Sequence, residues 1–395
     1  MDRSVVIASG VRTAIGTFGG SLRAVPPTTL AALVARDAIA RSTLAADAIQ
    51  HAVFGNVIHT EARDAYLARV AAIEAGVPET VPALTLNRLC GSGLQAVVSA
   101  AQMILLGDAD VALAGGAESM SRAPFASADA RFGKRMGDAA LTDVLLATLQ
   151  GPFGEGHMGV TAENVAGDYG IGRDEQDRFA VESQRRAARA IAEGRFAEQI
   201  LPVEVDAKGG PRPFLVDEHV RPETDMTSLA KLKPAFARDG SVTAGNASGM
   251  NDGAAALVLV EGGFAERKGL SPLGRIVAYG HAGVDPARMG LGPIPAVRAA
   301  LDRAGLSIGD MDVIESNEAF AVQACAVARD LGFPHDRTNP NGGAIALGHP
   351  IGATGAIILV KLLYELRRVD GRYGLATMCI GGGQGIAVIM ERQGN

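Results

Sequence analysis

The sequence predicts an α/β protein with a duplicated core and a long looped-out insert in its first half. Three observations predict it. Apolar runs alternate with helical patterns along the chain. Two stretches, one from Cys90 and one from His349, repeat the same succession: a reactive side chain, glycines, a helix of about four turns, and a strand ending in glycine. In the second stretch the next strand follows at once. In the first it is delayed from Gly116 to Ala254. The 395 residues allow two to four domains or one large duplicated one.

The elements follow in order. Ser4–Ala8 carries Val-Val-Ile and reads as an opening strand. Thr29–Arg41 repeats apolar residues at three and four and reads as a helix. Ala52–Val57 is a strand, Ala65–Ala75 and Gly93–Leu106 are helices, and Val111–Gly115 is a strand. The strand Ala254–Val260, Ala-Ala-Ala-Leu-Val-Leu-Val, is the one that matches the closing strand of the second half. Arg275–Gly280 and Met311–Glu315 are strands, and Pro295–Ala304, Ala319–Leu331 and Ala353–Leu366 are helices. Gly374–Ile380 and Gly385–Glu391 close the chain as strands. Between them lies the insert. From Arg173 to Glu198, 12 of 26 residues are charged, so this helix has a solvated face, and Asp174 and Glu175 stand in its first turn. Lys208 to Gly240, broken by Pro and Gly, reads as loops. The chain thus divides into a first half, 1–120 completed by 251–272, an insert, 121–250, and a second half, 273–395.

Composition excludes several classes. Net charge is −6, with 37 basic and 43 acidic residues, and aromatics are only 4% with no tryptophan. No nucleic-acid partner is expected, because such a surface needs a basic excess and stacking rings. Three widely spaced cysteines make neither a disulfide framework nor a metal site. No run of 18 apolar residues and no signal peptide is present, so no membrane partner and a cytoplasmic location are expected. Glycine is the excess, at 50 residues, without a collagen period.

The glycines gather beside the candidate chemistry. Cys90 lies in Asn-Arg-Leu-Cys-Gly-Ser-Gly before a helix, where the dipole is expected to lower its pKa. The alternative is a small buried residue at a turn. His349 sits in Leu-Gly-His-Pro-Ile-Gly, with little bulk beside it to make it a core residue, and is a candidate base with a pKa near working pH. Cys379 precedes Gly381-Gly382-Gly383, whose N–H groups could cradle an oxyanion. Asn317 follows a strand and could be either functional or a helix N-cap. Cys325 reads as core. Gly91-Ser92-Gly93-Leu94-Gln95-Ala96 fits a dinucleotide fingerprint. However, Thr-Leu-Asn-Arg-Leu-Cys before it is a poor buried strand, and Asp110 precedes the next strand instead of ending it.

Together, Asn87–Gly93, Asn317–Ala321, Asn339–Gly355 and Cys379–Gly385 resemble the thiolase family, as do His157–Asn164 and Thr243–Gly249 in the insert. The resemblance spans essentially the whole chain. Within the family it leans to biosynthetic acetyl-CoA acetyltransferases and bacterial β-ketothiolases. It implies a layered α-β-α-β-α core and a reversible Claisen condensation of an acyl-CoA with acetyl-CoA, without a cofactor or metal. Cys90 would be acylated, activated by His349; Cys379 would move the α-proton. Asn317 would hold a water that, with His349, stabilises the enolate, and the N–H groups of Cys90 and Gly381 would form a second oxyanion site. The insert would bind coenzyme A through His157, Met158, Arg221, Ser228, Phe236, Ala244 and Ser248, with Met289, Ala319 and Phe320 closing the tunnel. Met250 stands where relatives usually carry leucine. Related enzymes are commonly homotetramers with a loop near Ser121–Gly137 in the contact, and Arg122, Arg131, Lys134 and Arg135 make that loop basic. A degradative thiolase of fatty-acid β-oxidation and a non-catalytic coenzyme A or lipid-binding relative are the alternatives.

Overall fold

The computed structural model describes residues 3–393. The first half runs β1 (Val5–Thr13), α1 (Pro27–Arg41), β2 (His51–Gly55), α2 (Leu67–Glu74), β3 (Ala83–Leu86), α3 (Ser92–Leu106) and β4 (Val111–Ser119). The insert follows, with α4 (Met158–Tyr169) and α5 (Arg173–Ala192). β5 (Asn251–Glu261) then completes the first half. The second half is β6 (Gly274–Gly283), α6 (Pro293–Ala304), β7 (Met311–Ser316), α7 (Ala321–Leu331), α8 (Thr354–Arg368), β8 (Tyr373–Ile380) and β9 (Gln384–Glu391).

The strand order is β3-β2-β4-β5-β1 in the first half and β7-β8-β9-β6 in the second. In both, a parallel pair (β2–β4, β7–β8) is followed by two antiparallel steps. The duplication is therefore a repeat of both order and direction. Val6 pairs with Arg275 and Ile7 with Gly274, so the half-sheets join edge to edge through β1 and β6. The insert leaves at Ser119 and returns at Asp252, which pair with each other. At the same place in the second half only Gly381-Gly382-Gly383 intervene, and Ile380 pairs with Gln384. Gly382 and Gly383 turn there with φ of +79° and +80°, a region that favours glycine.

Helices α3 and α8 pack on each other and on strands of both halves, forming the middle layer. Their N-terminal turns touch at glycine. A side chain at Gly93 would fall 2.7 Å from the backbone nitrogen of Ala356, and one at Gly355 would fall 2.3 Å from that of Leu94. Only hydrogen at both positions permits this approach. Helix α3 is apolar enough to span a bilayer, but it lies inside this sandwich. Lys361, which interrupts the apolar run of α8, is buried. It pairs with Glu315 at 2.7 Å and donates to the Gly342 carbonyl at 2.8 Å.

The run Thr85–Cys90, expected to make a poor buried strand, contributes only Thr85 and Leu86 to β3, a partly exposed edge strand paired only to β2. Two expectations need correction. The stretch Lys208 to Gly240 is not all loop: Arg212–Phe214 pairs with Val203–Val205, and Met226–Ala230 is a short helix closed by an Asp225–Ser228 capping box. Cys325 is half-buried rather than deep in the core.

Candidate active site

The glycine-on-glycine approach of α3 and α8 brings the residues before both helices together. Cys90 precedes α3 and His349 precedes α8, so two helix N-termini converge. Cys379, at the end of β8, is buried beside Cys90, close enough that a charge on one sulfur would be felt by the other. The N–H groups of Gly381 and of Cys90 itself point at the Cys90 sulfur. Leu89 and Met158 flank Gly381, within 3.1 and 3.5 Å of where its side chain would begin.

The turn that presents Cys90 is closed by its own side chains. Asn87 Oδ1 accepts the Leu89 N–H at 2.8 Å. Ser92 Oγ accepts the Arg88 N–H at 2.8 Å and donates to the Leu89 carbonyl at 2.7 Å. Leu89 is thereby held at φ +47°, unusual for a side chain branched at Cγ. His349 is buried, although the glycines beside it offered little bulk to make it a core residue. Asn251 of β5 accepts its backbone N–H at 2.9 Å, and its Nδ1 lies 2.7 Å from Thr354 Oγ1. Its Nε2 is buried without a protein partner.

Electrostatics corrects two further expectations. Burial pushes the Cys90 thiol up to about 11, because enclosure outweighs the two N–H donors. The helix N-terminus does not make a resting thiolate. Burial also pushes His349 down to about 4, well away from working pH. At rest the Cys90 thiol keeps its proton and the His349 imidazole is neutral. The Cys379 thiol is raised further, by burial and by Cys90.

Asn317 follows β7, and both polar atoms of its amide are buried and unpaired. It is no N-cap: α7 starts four residues later, capped at Phe320. Glu318 beside it is buried and ties three elements together, accepting from Ser183 Oγ at 2.6 Å, Asn339 Nδ2 at 2.8 Å and Ile345 N at 3.3 Å. Glu118, which residue-by-residue reading of the sequence passed over, does the same for the histidine turn. Its carboxylate accepts from Asn56 Nδ2, Val57 N, Ile58 N and Gly352 N at 2.9–3.2 Å. Burial nevertheless holds its pKa up at about 8.

Around Cys379 an apolar cluster gathers Met158, Met289, Ala319 and Phe320, with Phe236 packed against it. Phe236 stacks on His157 with ring centroids 4.8 Å apart and meets Phe320 edge-on at 6.1 Å. His157 caps α4, its Nδ1 accepting the Gly159 N–H at 3.0 Å, which leaves the proton on Nε2. Ser248 donates its N–H to the Ala319 carbonyl at 3.0 Å. Arg221, Ser228 and Ala244 are exposed and lie outside this cluster, and the Ser228 hydroxyl is occupied by its capping box. Among the described residues no group of three His, Cys, Asp or Glu side chains could hold a metal.

Such a site, two thiols and an imidazole at the meeting point of two N-termini, can carry two consecutive acyl-transfer steps. Comparison with known proteins agrees. The family models for the thiolase N-terminal domain and the thiolase C-terminal domain match residues 5–263 and 270–392. The chain is 62% identical over 393 residues to the beta-ketothiolase BktB of Cupriavidus necator, covering 99% of this chain and 100% of that protein. It is 52% identical over 392 residues to an acetyl-CoA acetyltransferase of Pseudomonas aeruginosa, with 99% and 100% covered. A crystal structure of human mitochondrial 3-ketoacyl-CoA thiolase in complex with CoA superposes with a TM-score of 0.96 at 43% identity, over 99% of this chain and 98% of that one. With both halves, the insert and the convergent thiols in place, the chain belongs to the thiolase family of acyltransferases.

Proposed function

We propose that this enzyme is a β-ketothiolase that condenses an acyl-CoA, acetyl-CoA or propionyl-CoA, with acetyl-CoA and runs the reverse thiolysis by the same steps. Cys90 beside Cys379 with the Gly381 N–H at its sulfur, and His349 ahead of the helix that packs on α3, carry the reading. Cys90 attacks the thioester carbonyl. Because its thiol is held near 11 and His349 near 4, the sulfur gives up its proton to Nε2 only as the S–C bond forms. The departing coenzyme A takes that proton. The Cys90 and Gly381 N–H groups already aimed at the sulfur receive the carbonyl oxygen.

The second step needs a strong base, since thioester α-protons are weakly acidic. Cys379 suits it once its own proton has left to solvent: a thiol whose pKa is raised gives a more basic thiolate, which takes the α-proton, and Cys90, released as thiolate when the C–C bond forms, takes a proton from solvent in turn. Asn317 and His349 Nε2, polar and without a protein partner, would bind the enolate oxygen through a water. The apolar cluster from Met158 to Phe320 would enclose the acyl and pantetheine ends, with Arg221, Ser228 and Ala244 on the outer rim. Coenzyme A thioesters are substrates here, and no cofactor or metal is required.

Cys379→Ser is expected to take label from acetyl-CoA onto Cys90 and lose condensation by about 100-fold or more. Failure of that variant to acylate would mean the thiols are misassigned. Rates on 3-ketovaleryl- and 3-ketohexanoyl-CoA separate a short-chain enzyme from the degradative type. The assembly we expect is a homotetramer in the cytoplasm. Phe132 and Met136, about nine-tenths exposed in the 121–137 loop, supply apolar contact area for it. Sedimentation of Phe132→Ser should show smaller species.

A further inference from the structure

Thr354 opens α8 and touches the reacting histidine. Its hydroxyl lies 2.7 Å from His349 Nδ1 and 2.9 Å from the Pro350 carbonyl. A hydroxyl has one proton. The Pro350 carbonyl can only accept, so once it takes that proton the contact with Nδ1 must have the ring nitrogen as donor. A second observation points the same way. His349 Nε2 is buried with no protein partner. No protein group can accept a proton held on Nε2, whereas the Thr354 oxygen can accept one held on Nδ1.

The rest of the turn is held from the other half of the molecule. Asn251 accepts the His349 N–H, and Glu118 accepts the Gly352 N–H, but both bind backbone. Of these three, only Thr354 addresses the ring. We propose that Thr354 is a positioning residue that fixes His349 as its Nδ1–H tautomer, leaving the Nε2 lone pair free for the Cys90 proton. During acylation the Cys90 S–H bond breaks, the proton joins Nε2, and Nδ1 keeps its own. The sulfur electron pair forms the new bond to the acyl carbon, and the leaving thiolate takes the proton back from Nε2. The role rests on Cys90 acylation assisted by His349.

Two measurements test it. The first is nitrogen NMR of enzyme with ¹⁵N-labelled histidine, the His349 signals being assigned by loss in His349→Gln. We expect a protonated, pyrrole-type Nδ1 and an unprotonated Nε2. The reverse assignment overturns the proposal, and it needs no Thr354 variant to fold. The second compares Thr354→Ser with Thr354→Val. Serine keeps the hydroxyl and should stay within about 3-fold of the parent, whereas valine should slow both single-turnover acetylation and iodoacetamide capture of Cys90 by about 10–100-fold, with KM for acetyl-CoA little changed. A folded valine variant with parental rates, or one whose loss lies in KM alone, overturns it. Labelling of Cys90 in the parent enzyme is measured first, so a failure of the acyl-enzyme reading is seen apart from a failure at Thr354.

Discussion

At the scale of single residues, the catalytic candidates were legible because each is a reactive side chain set among glycines. Cys90, His349 and Cys379 stand out by type and neighbours alone. Their protonation states did not, since enclosure by distant strands decides them. This has a consequence for pH dependence. His349 must be neutral to accept a proton, and its charged form grows only as pH falls through about 4. An ordinary imidazole would be about nine-tenths protonated at pH 5.5. Acetyl transfer to Cys90 should therefore persist at pH 5.5 and fall only below about 5, measured as single-turnover labelling from acetyl-CoA. The alkylation rate of Cys90, in turn, should climb with pH towards 11, as free thiolate adds to the reaction assisted by His349. An acid limb centred near 6.5 would contradict the burial argument. Thr354, Asn251 and Glu118 were not legible: two of them reach the histidine turn across 98 and 234 positions of chain, a separation no local pattern reports.

Among the elements, the core strands and helices were legible because they are long, apolar and regular, and the structure moves their ends by only a few residues. Short elements of the insert were not. Arg212–Phe214 contains a proline and has one neighbour strand, so it has neither the apolar run nor the length that marks a strand. The two helix N-termini make a sharper case, for the sequence shows glycines there but not what they touch. Gly93→Ala would drive a methyl to 2.7 Å from the Ala356 nitrogen, backbone that cannot swing aside. It should cost about 1–3 kcal/mol in denaturant unfolding and, by parting Cys90 from His349, most of the activity. Gly167→Ala is the control: this exposed position in α4 has open space around it, and the same change should stabilise by about 0.5–1 kcal/mol with rates unchanged. Equal effects at the two sites would mean that close approach is not what Gly93 supplies.

For the whole molecule, the question is how a solvated insert holds its place over a buried site. The answer lies in ion pairs of opposite character. Arg12 of β1 and Asp217 of the insert are fully buried, joined by two hydrogen bonds at 2.7 and 2.9 Å. Arg12 also donates to Gln199 at 2.8 Å and lies over the Phe196 ring, both insert residues, and Asp217 accepts the Ile15 N–H. Arg367 of α8 also pairs with Glu198 of the insert, but in the open, with Glu198 74% exposed. The two contacts look alike as pairs and differ in what their loss would leave behind. Asp217→Ala strands a guanidinium in a dry interior and should cost about 3–5 kcal/mol. Glu198→Ala frees a charge into water and should cost less than about 1 kcal/mol. Urea unfolding measures both. Because His219 and Arg221 lie two and four residues beyond Asp217, its loss should also loosen the proposed coenzyme A rim, raising KM for acetyl-CoA and opening 200–240 to limited proteolysis before global unfolding. If Asp217→Ala unfolds where Glu198→Ala does, the insert is held by its apolar contacts instead, and the buried pair adds only specificity.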